Sequence, residues 1–149
     1  MATRSCIGIQ LPDESILSVY HHWDGYPEWL GRILKTHYNT KDKVAELIDG
    51  GDMSSCWTNE RWGDKNEYGG QMKNEVEEYG PQYYSQRGEK CPPTLCKDLN
   101  EFLTHTDHNH GGEYAYHFAN GEWICHKVGY SVDKHMVKQV EIPSGALAV

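Results

Sequence analysis

Apolar and polar positions alternate near both ends of the chain and recur at helical spacing in between. Cys6, Ile7 and Ile9 mark a first strand over Arg4–Leu11. Pro12-Asp13-Glu14-Ser15 follows, built from residues that favour tight reversals. Ile16–Trp23 then alternates again, with Leu17, Val19, His21 and Trp23 on one face and Ile16, Ser18, Tyr20 and His22 on the other. The pattern predicts a β-hairpin. Asp24-Gly25-Tyr26-Pro27 breaks it, and Pro27 with Glu28 suits the first turn of a helix. Leu30, Ile33, Leu34 and His37 or Tyr38 recur as one helical face. A second short helix is expected after Asn39 or Thr40, both natural N-caps. Val44, Leu47 and Ile48 form its stripe, and Gly50-Gly51 ends it.

The character then changes. Residues 58–90 form a polar, Gly-rich excursion in which Met72 and Val76 stand almost alone as aliphatic positions. A short helix is predicted over Gln71–Tyr79, and Trp62, Tyr68, Tyr79, Tyr83 and Tyr84 sit among charges. Pro92-Pro93 is expected to open a further helix whose buried face is Leu95, Leu99, Phe102 and Leu103. His105–Gly112 reads as a loop with three histidines. Asn120-Gly121 between the alternating segments Glu113–Ala119 and Glu122–Val128 is a strong hairpin signal. Met136–Ile142 fits an edge strand stopped by Pro143. The fold class is therefore α+β: an antiparallel sheet built from two hairpins with helices packed on one face, in a single domain over 1–149. No βαβ rhythm is visible, so parallel pairing is not expected. Ile7, Ile9, Leu17, Val19, Leu30, Leu34, Val44, Leu47, Leu99, Phe102, Tyr116 and Trp123 are the expected core.

Composition narrows the picture. The net charge is −8, from 14 Lys+Arg against 22 Asp+Glu. An acidic surface repels phosphate backbones, so no nucleic-acid partner is expected. No apolar run could span a bilayer, and Met1–Ile9 lacks a basic segment followed by an apolar one, so neither a membrane partner nor an export signal is expected. The five cysteines, Cys6, Cys56, Cys91, Cys96 and Cys125, are expected as free thiols in a reducing compartment.

Thr3-Arg4-Ser5-Cys6-Ile7-Gly8-Ile9, His22-Trp23-Asp24-Gly25-Tyr26-Pro27-Glu28 and Gly51-Asp52-Met53-Ser54-Ser55 together form a TRSxIGI…HWDGYPE…GDxSS pattern. With the late hairpin around Tyr114-Ala115-Tyr116 and Asn120-Gly121-Glu122-Trp123, it resembles a family of small, uncharacterised bacteriophage and prophage proteins. The likeness covers the first third of the chain and the late hairpin. It carries no catalytic residues. It implies a phage accessory protein, of host-takeover or anti-defence type, that acts in the bacterial cytoplasm by binding a host protein.

Four constellations could carry chemistry. The strand-to-helix junction His22–Glu28 places side chains where free backbone N–H groups favour anions. Arg4, His21, His22 and Asp24 could line a site there for a small nucleotide-like ligand, as a binder or a hydrolase. The same residues also have fold-making uses: Trp23 as core, Asp24 as a cap, Gly25 for an unusual dihedral. Cys91, Cys96, His105 and His108, with His110 nearby, could form a tetrahedral zinc site. The spacing is poor, and no metal or other cofactor is the first expectation. Cys125 could pair with His117 across the late hairpin as a thiol–imidazole couple. The aromatics of the excursion suit a binding surface. The expected ligand- or partner-binding set is Arg4, His22, Trp23, Asp24, Tyr26, Trp62, Tyr83 and Tyr84, acting without covalent chemistry.

Overall fold

The computed structural model describes residues 3–56, 81–128 and 137–143. Trp62, the expected helix at Gln71–Tyr79 and most of the 58–90 excursion lie outside them. The elements are β1 (Ser5–Gln10), β2 (Ile16–His21), a π-helical turn Pro27–Gly31 running into α1 (Arg32–His37), α2 (Lys41–Asp49), β3 (Met53–Cys56), β4 (Pro81–Tyr83) and β5 (Thr94–Cys96). Then come α3 (Leu99–Thr104), a second π-helical turn (His105–Asn109), β6 (Tyr114–Ala119), β7 (Glu122–Lys127) and β8 (Lys138–Val140).

These strands form one sheet in the order β4-β3-β2-β1-β6-β7-β8, with β5 also paired to β2. The domain is α+β, but the sheet is mixed, which corrects the antiparallel expectation. β1 runs parallel to β6, with Ile7 opposite Tyr116, and β2 runs parallel to β3 through His21 and Met53. A parallel partner needs a long crossover, and the helical stretch from Pro27 to Asp49 supplies one between β2 and β3. Met53-Ser54-Ser55-Cys56 has no alternation of apolar and polar residues, which hid the strand.

Helices cover both faces of the sheet, and this corrects the single-face expectation. On one face Ile7, Ile9, Val19, Tyr116 and Phe118 meet Leu30, Ile33 and Leu34 of the first helical segment and Val44, Leu47 and Ile48 of α2. On the other, Cys6, Ile16, Cys96 and Ala115 meet Phe102 of α3. Period-2 alternation makes this possible. β1 presents Ile7 and Ile9 to one side and Cys6 and Gly8 to the other. A Cβ at Gly8 would lie 2.4 Å from Ile16 Cγ2 and 3.2 Å from the Phe102 ring, so the missing side chain is what lets α3 settle on the sheet.

Of the expected core, Leu17 and Trp123 are half-buried, and Leu99 is exposed at 36%. Leu95 is exposed at 59% because Thr94–Cys96 is a strand at this position; α3 begins only after the Asp98 cap. Trp123 Nε1 donates to the carbonyl of Tyr38 at 2.7 Å, tying β7 to the end of α1. Trp29 joins the core, a role that sequence reasoning missed.

Gly8→Ala is expected to destabilise the domain by about 1–3 kcal/mol, the usual range for overpacking. Ile16 is branched next to the contact and cannot swing aside. Leu34→Ala, at a fully buried position, should cost about 2–5 kcal/mol. Denaturant unfolding of both variants measures the two effects; unchanged midpoints would contradict the packing.

Candidate functional site

On the face covered by α3, one end of the sheet gathers polar and aromatic side chains from five segments. Tyr20 lies on β2 and His22 two residues on, so both project to the same side. Backbone bonds keep the chain beside β3 beyond the end of β2: His22 N–H donates to Met53 O at 3.2 Å and Trp23 N–H to Ser54 O at 2.8 Å. The Tyr20 hydroxyl lies 2.5 Å from His22 Nδ1. Burial pushes the Tyr20 phenol up to about 12, so it keeps its proton and is able to donate to Nδ1. Burial, and then the charge of Arg4, hold His22 below the usual imidazole range. His22 is therefore neutral at pH 7, and with the phenol as donor its proton sits on Nε2. Its ring stands edge-on to Trp23, with centroids 4.7 Å apart, and Trp23 is 39% exposed.

The opposite wall comes from the π-helical turn after α3. The wider turn brings residues five apart into alignment. His105 Nε2 and His110 Nε2 thus lie 3.2 Å apart, with the two rings perpendicular. His110 also stacks on Tyr20 at 4.6 Å and 18°. Burial, and secondarily His105, lower His110 to about 4. Arg4 arrives from the start of β1, where its carbonyl accepts the Glu113 N–H at 2.8 Å. Its guanidinium passes so close to the backbone that a Cβ at Gly111 would lie 3.5 Å from Nη1. Asp52 closes the floor: its Oδ1 accepts the Tyr20 N–H at 2.8 Å, and burial raises its carboxyl against the pull of that bond and of His105. Tyr84 N–H donates to the Asp52 carbonyl at 3.1 Å.

The structure therefore brings together Arg4, His22, Trp23 and Tyr84 of the expected set, and adds Tyr20, Asp52, His105 and His110. Tyr26 and Tyr83 belong elsewhere: both pack against the core on the other face, and the Tyr83 hydroxyl donates to Leu47 O at 2.7 Å. Asp24 is not the helix cap. It sits in the left-handed region at φ 57°, and the N-cap is Tyr26. His21 points into the core, away from His22. Its Nε2 accepts the Cys56 N–H at 3.0 Å, so Nδ1 carries the proton toward Ser5 Oγ at 3.2 Å. Of the residues expected to line the junction, Arg4 and His22 meet on the face covered by α3, whereas His21 is buried against Ser5 and Cys56.

Two other sequence readings do not assemble. Cys96 is buried in the second core cluster, and exposed His108 faces Asp107 at 3.5 Å, so neither joins Cys91 and His105 in a zinc site. Among the described residues no group of three or more His, Cys, Asp or Glu side chains is placed to hold a metal ion. Cys125 pairs with Tyr116 while His117 pairs with Ile124, which puts thiol and imidazole on opposite faces. Burial also pushes the Cys125 thiol up to about 12, the wrong direction for a nucleophile. No helix among the described residues is long and apolar enough to cross a membrane.

The buried imidazoles set a pH dependence. His21 is held at about 3 by burial and the neighbouring His22, and His110 and His117 at about 4, chiefly by burial. The unfolded chain takes up these protons as pH falls through about 6.5. Between that value and the folded ones the unfolded state binds more protons, so stability is full above about pH 6.5 and falls as acid is added. Thermal melting at pH 7.5, 6.0 and 5.0 should give a descending series; equal midpoints would contradict neutral burial.

Against this geometry, comparison with known proteins gives no relative to lean on: no protein-family model, no curated protein and no solved structure matches the chain.

Proposed function

We propose that the protein binds a small, anionic, nucleotide-like molecule at the cluster of Arg4, Tyr20, His22, Trp23 and His110, without covalent chemistry. One observation carries the reading. The Arg4 guanidinium flanks a neutral His22 whose Nε2–H is fixed by Tyr20, and the partly exposed Trp23 ring stands beside them. A guanidinium and an N–H donor suit a phosphate or carboxylate, and an exposed indole face suits a base. The chain is acidic overall, so this local donor set selects a small anion rather than a long polyanion.

A second reading is favoured by Trp23 itself. Exposed tryptophan is over-represented among residues that anchor protein interfaces. A host-protein partner, met in a bacterial cytoplasm by a phage accessory protein, would use the same edge of the domain.

Calorimetric titration with inorganic phosphate and with nucleoside mono- and triphosphates tests the proposal. Binding is expected, weakened at least tenfold in Arg4→Ala for every ligand, and in Trp23→Ala for the nucleotides alone. Both side chains are exposed, so melting temperatures should hold. Absence of binding, or affinity unchanged in Arg4→Ala, would overturn it. Loss of a co-purifying host protein in Trp23→Ala, with nucleotides inert, would select the second reading.

A further inference from the structure

The His105–His110 pair lies within hydrogen-bond range, and its geometry also suits two ligands to one ion. The two Nε2 atoms face each other at 3.2 Å, the outer limit for an N–H donor. In that bond one Nε2 carries the proton and the other accepts, so the accepting ring holds its own proton on Nδ1. The same separation suits a shared ligand sphere. An ion about 2.0–2.1 Å from each nitrogen would subtend an N–metal–N angle of about 100°, close to tetrahedral. The two rings are perpendicular, with centroids 4.7 Å apart, so they meet through their Nε2 edges without stacking.

The backbone supports the convergence. In an α-helix, residues five apart point in divergent directions, since a turn takes 3.6 residues. The π-helical turn at His105–Asn109 removes that divergence, and such turns are frequent at functional sites. The other histidine of this segment, His108, is turned out to solvent beside Asp107. The pair is anchored from both sides: His110 is stacked on Tyr20, and Thr106, one residue after His105, is buried with its hydroxyl bonded to Phe102 O at 2.9 Å. Arg4 borders the same segment, since a Cβ at Gly111, next to His110, would lie 3.5 Å from its Nη1; an ion held by the pair therefore has a guanidinium nearby and no third protein ligand among the described residues.

We propose that His105 and His110 bind one divalent transition-metal ion of the zinc class through their two Nε2 atoms. Imidazole pairs prefer such borderline ions to calcium or magnesium. With two protein ligands the ion keeps open positions for water or for an oxygen donor of an incoming molecule. This site differs from a Cys/His zinc centre, since it needs neither Cys91, Cys96 nor His108. It shares His110 with the nucleotide reading, and titration with the metal alone separates the two.

Chelator-treated protein would be titrated with Zn²⁺ and with Co²⁺, following heat and visible absorption. One ion per chain is expected, with affinity at least tenfold weaker in His105→Ala and in His110→Ala and unchanged in His108→Ala. Removal of His110 also removes the Tyr20 stack. Imidazole ¹⁵N spectra of the unaltered protein therefore provide a readout that needs no variant: zinc should shift Nε2 of His105 and His110 and spare the other histidines. No uptake, uptake that survives both substitutions, loss in His108→Ala, or zinc-induced shifts at other histidines alone would overturn the proposal.

Discussion

The central constraint is that β1 is buried on both faces with unequal side chains. Ile7 and Ile9 fill one side, while Cys6 and Gly8 leave the other nearly flat. The broad side takes the helical stretch from Pro27 to Asp49, and the flat side takes Phe102 and α3. Each neighbour of β1 repeats the asymmetry, with Val19 and Tyr116 beside Ile7, and Ser18 and His117 beside Gly8. A one-residue slip of β1 would drive isoleucines into a space that admits no Cβ, so register and layer assignment are fixed together.

The polar cluster is a by-product of the same arrangement. Once α3 lies on the flat side, its C-terminal turn overhangs the end of β2, and His110 comes to rest on Tyr20. The side chains beneath it are then partly withdrawn from water. That withdrawal keeps the imidazoles neutral and the phenol protonated, turning a set of titratable groups into directional donors and acceptors.

The strands Arg4–Leu11 and Ile16–Trp23, both helical stripes, and the strands on either side of Asn120-Gly121 were legible because each follows a clean period. The short strands were not. Met53–Cys56 is buried throughout and has no alternation to read, and Thr94–Cys96 follows two prolines that suggested a helix start. Parallel pairing is invisible locally, because the partners of β1 and β6 lie about a hundred positions apart. Arg4, His22 and Trp23 stood out through their motif. Tyr20 and Asp52 did not, since an alternating tyrosine reads as ordinary strand and an aspartate after two glycines as a loop residue. His105 and His110 were visible as histidines, but only a π-helical turn makes them neighbours. An assumed α-helical period or a plain loop gives no reason to pair them.

The parallel pairing of β1 with β6 also governs when the cluster can exist. Arg4 precedes His105 and His110 by about a hundred positions, and the N–H of Glu113 is what the Arg4 carbonyl accepts. Closing that long loop costs chain entropy before any contact repays it. A nascent chain halted after β3 lacks His105 and His110, and lacks Tyr116 and Phe118 from the core on which its helices pack. Competence at this site is thus a late property of the polypeptide, acquired when two segments distant in sequence are stitched into neighbouring strands.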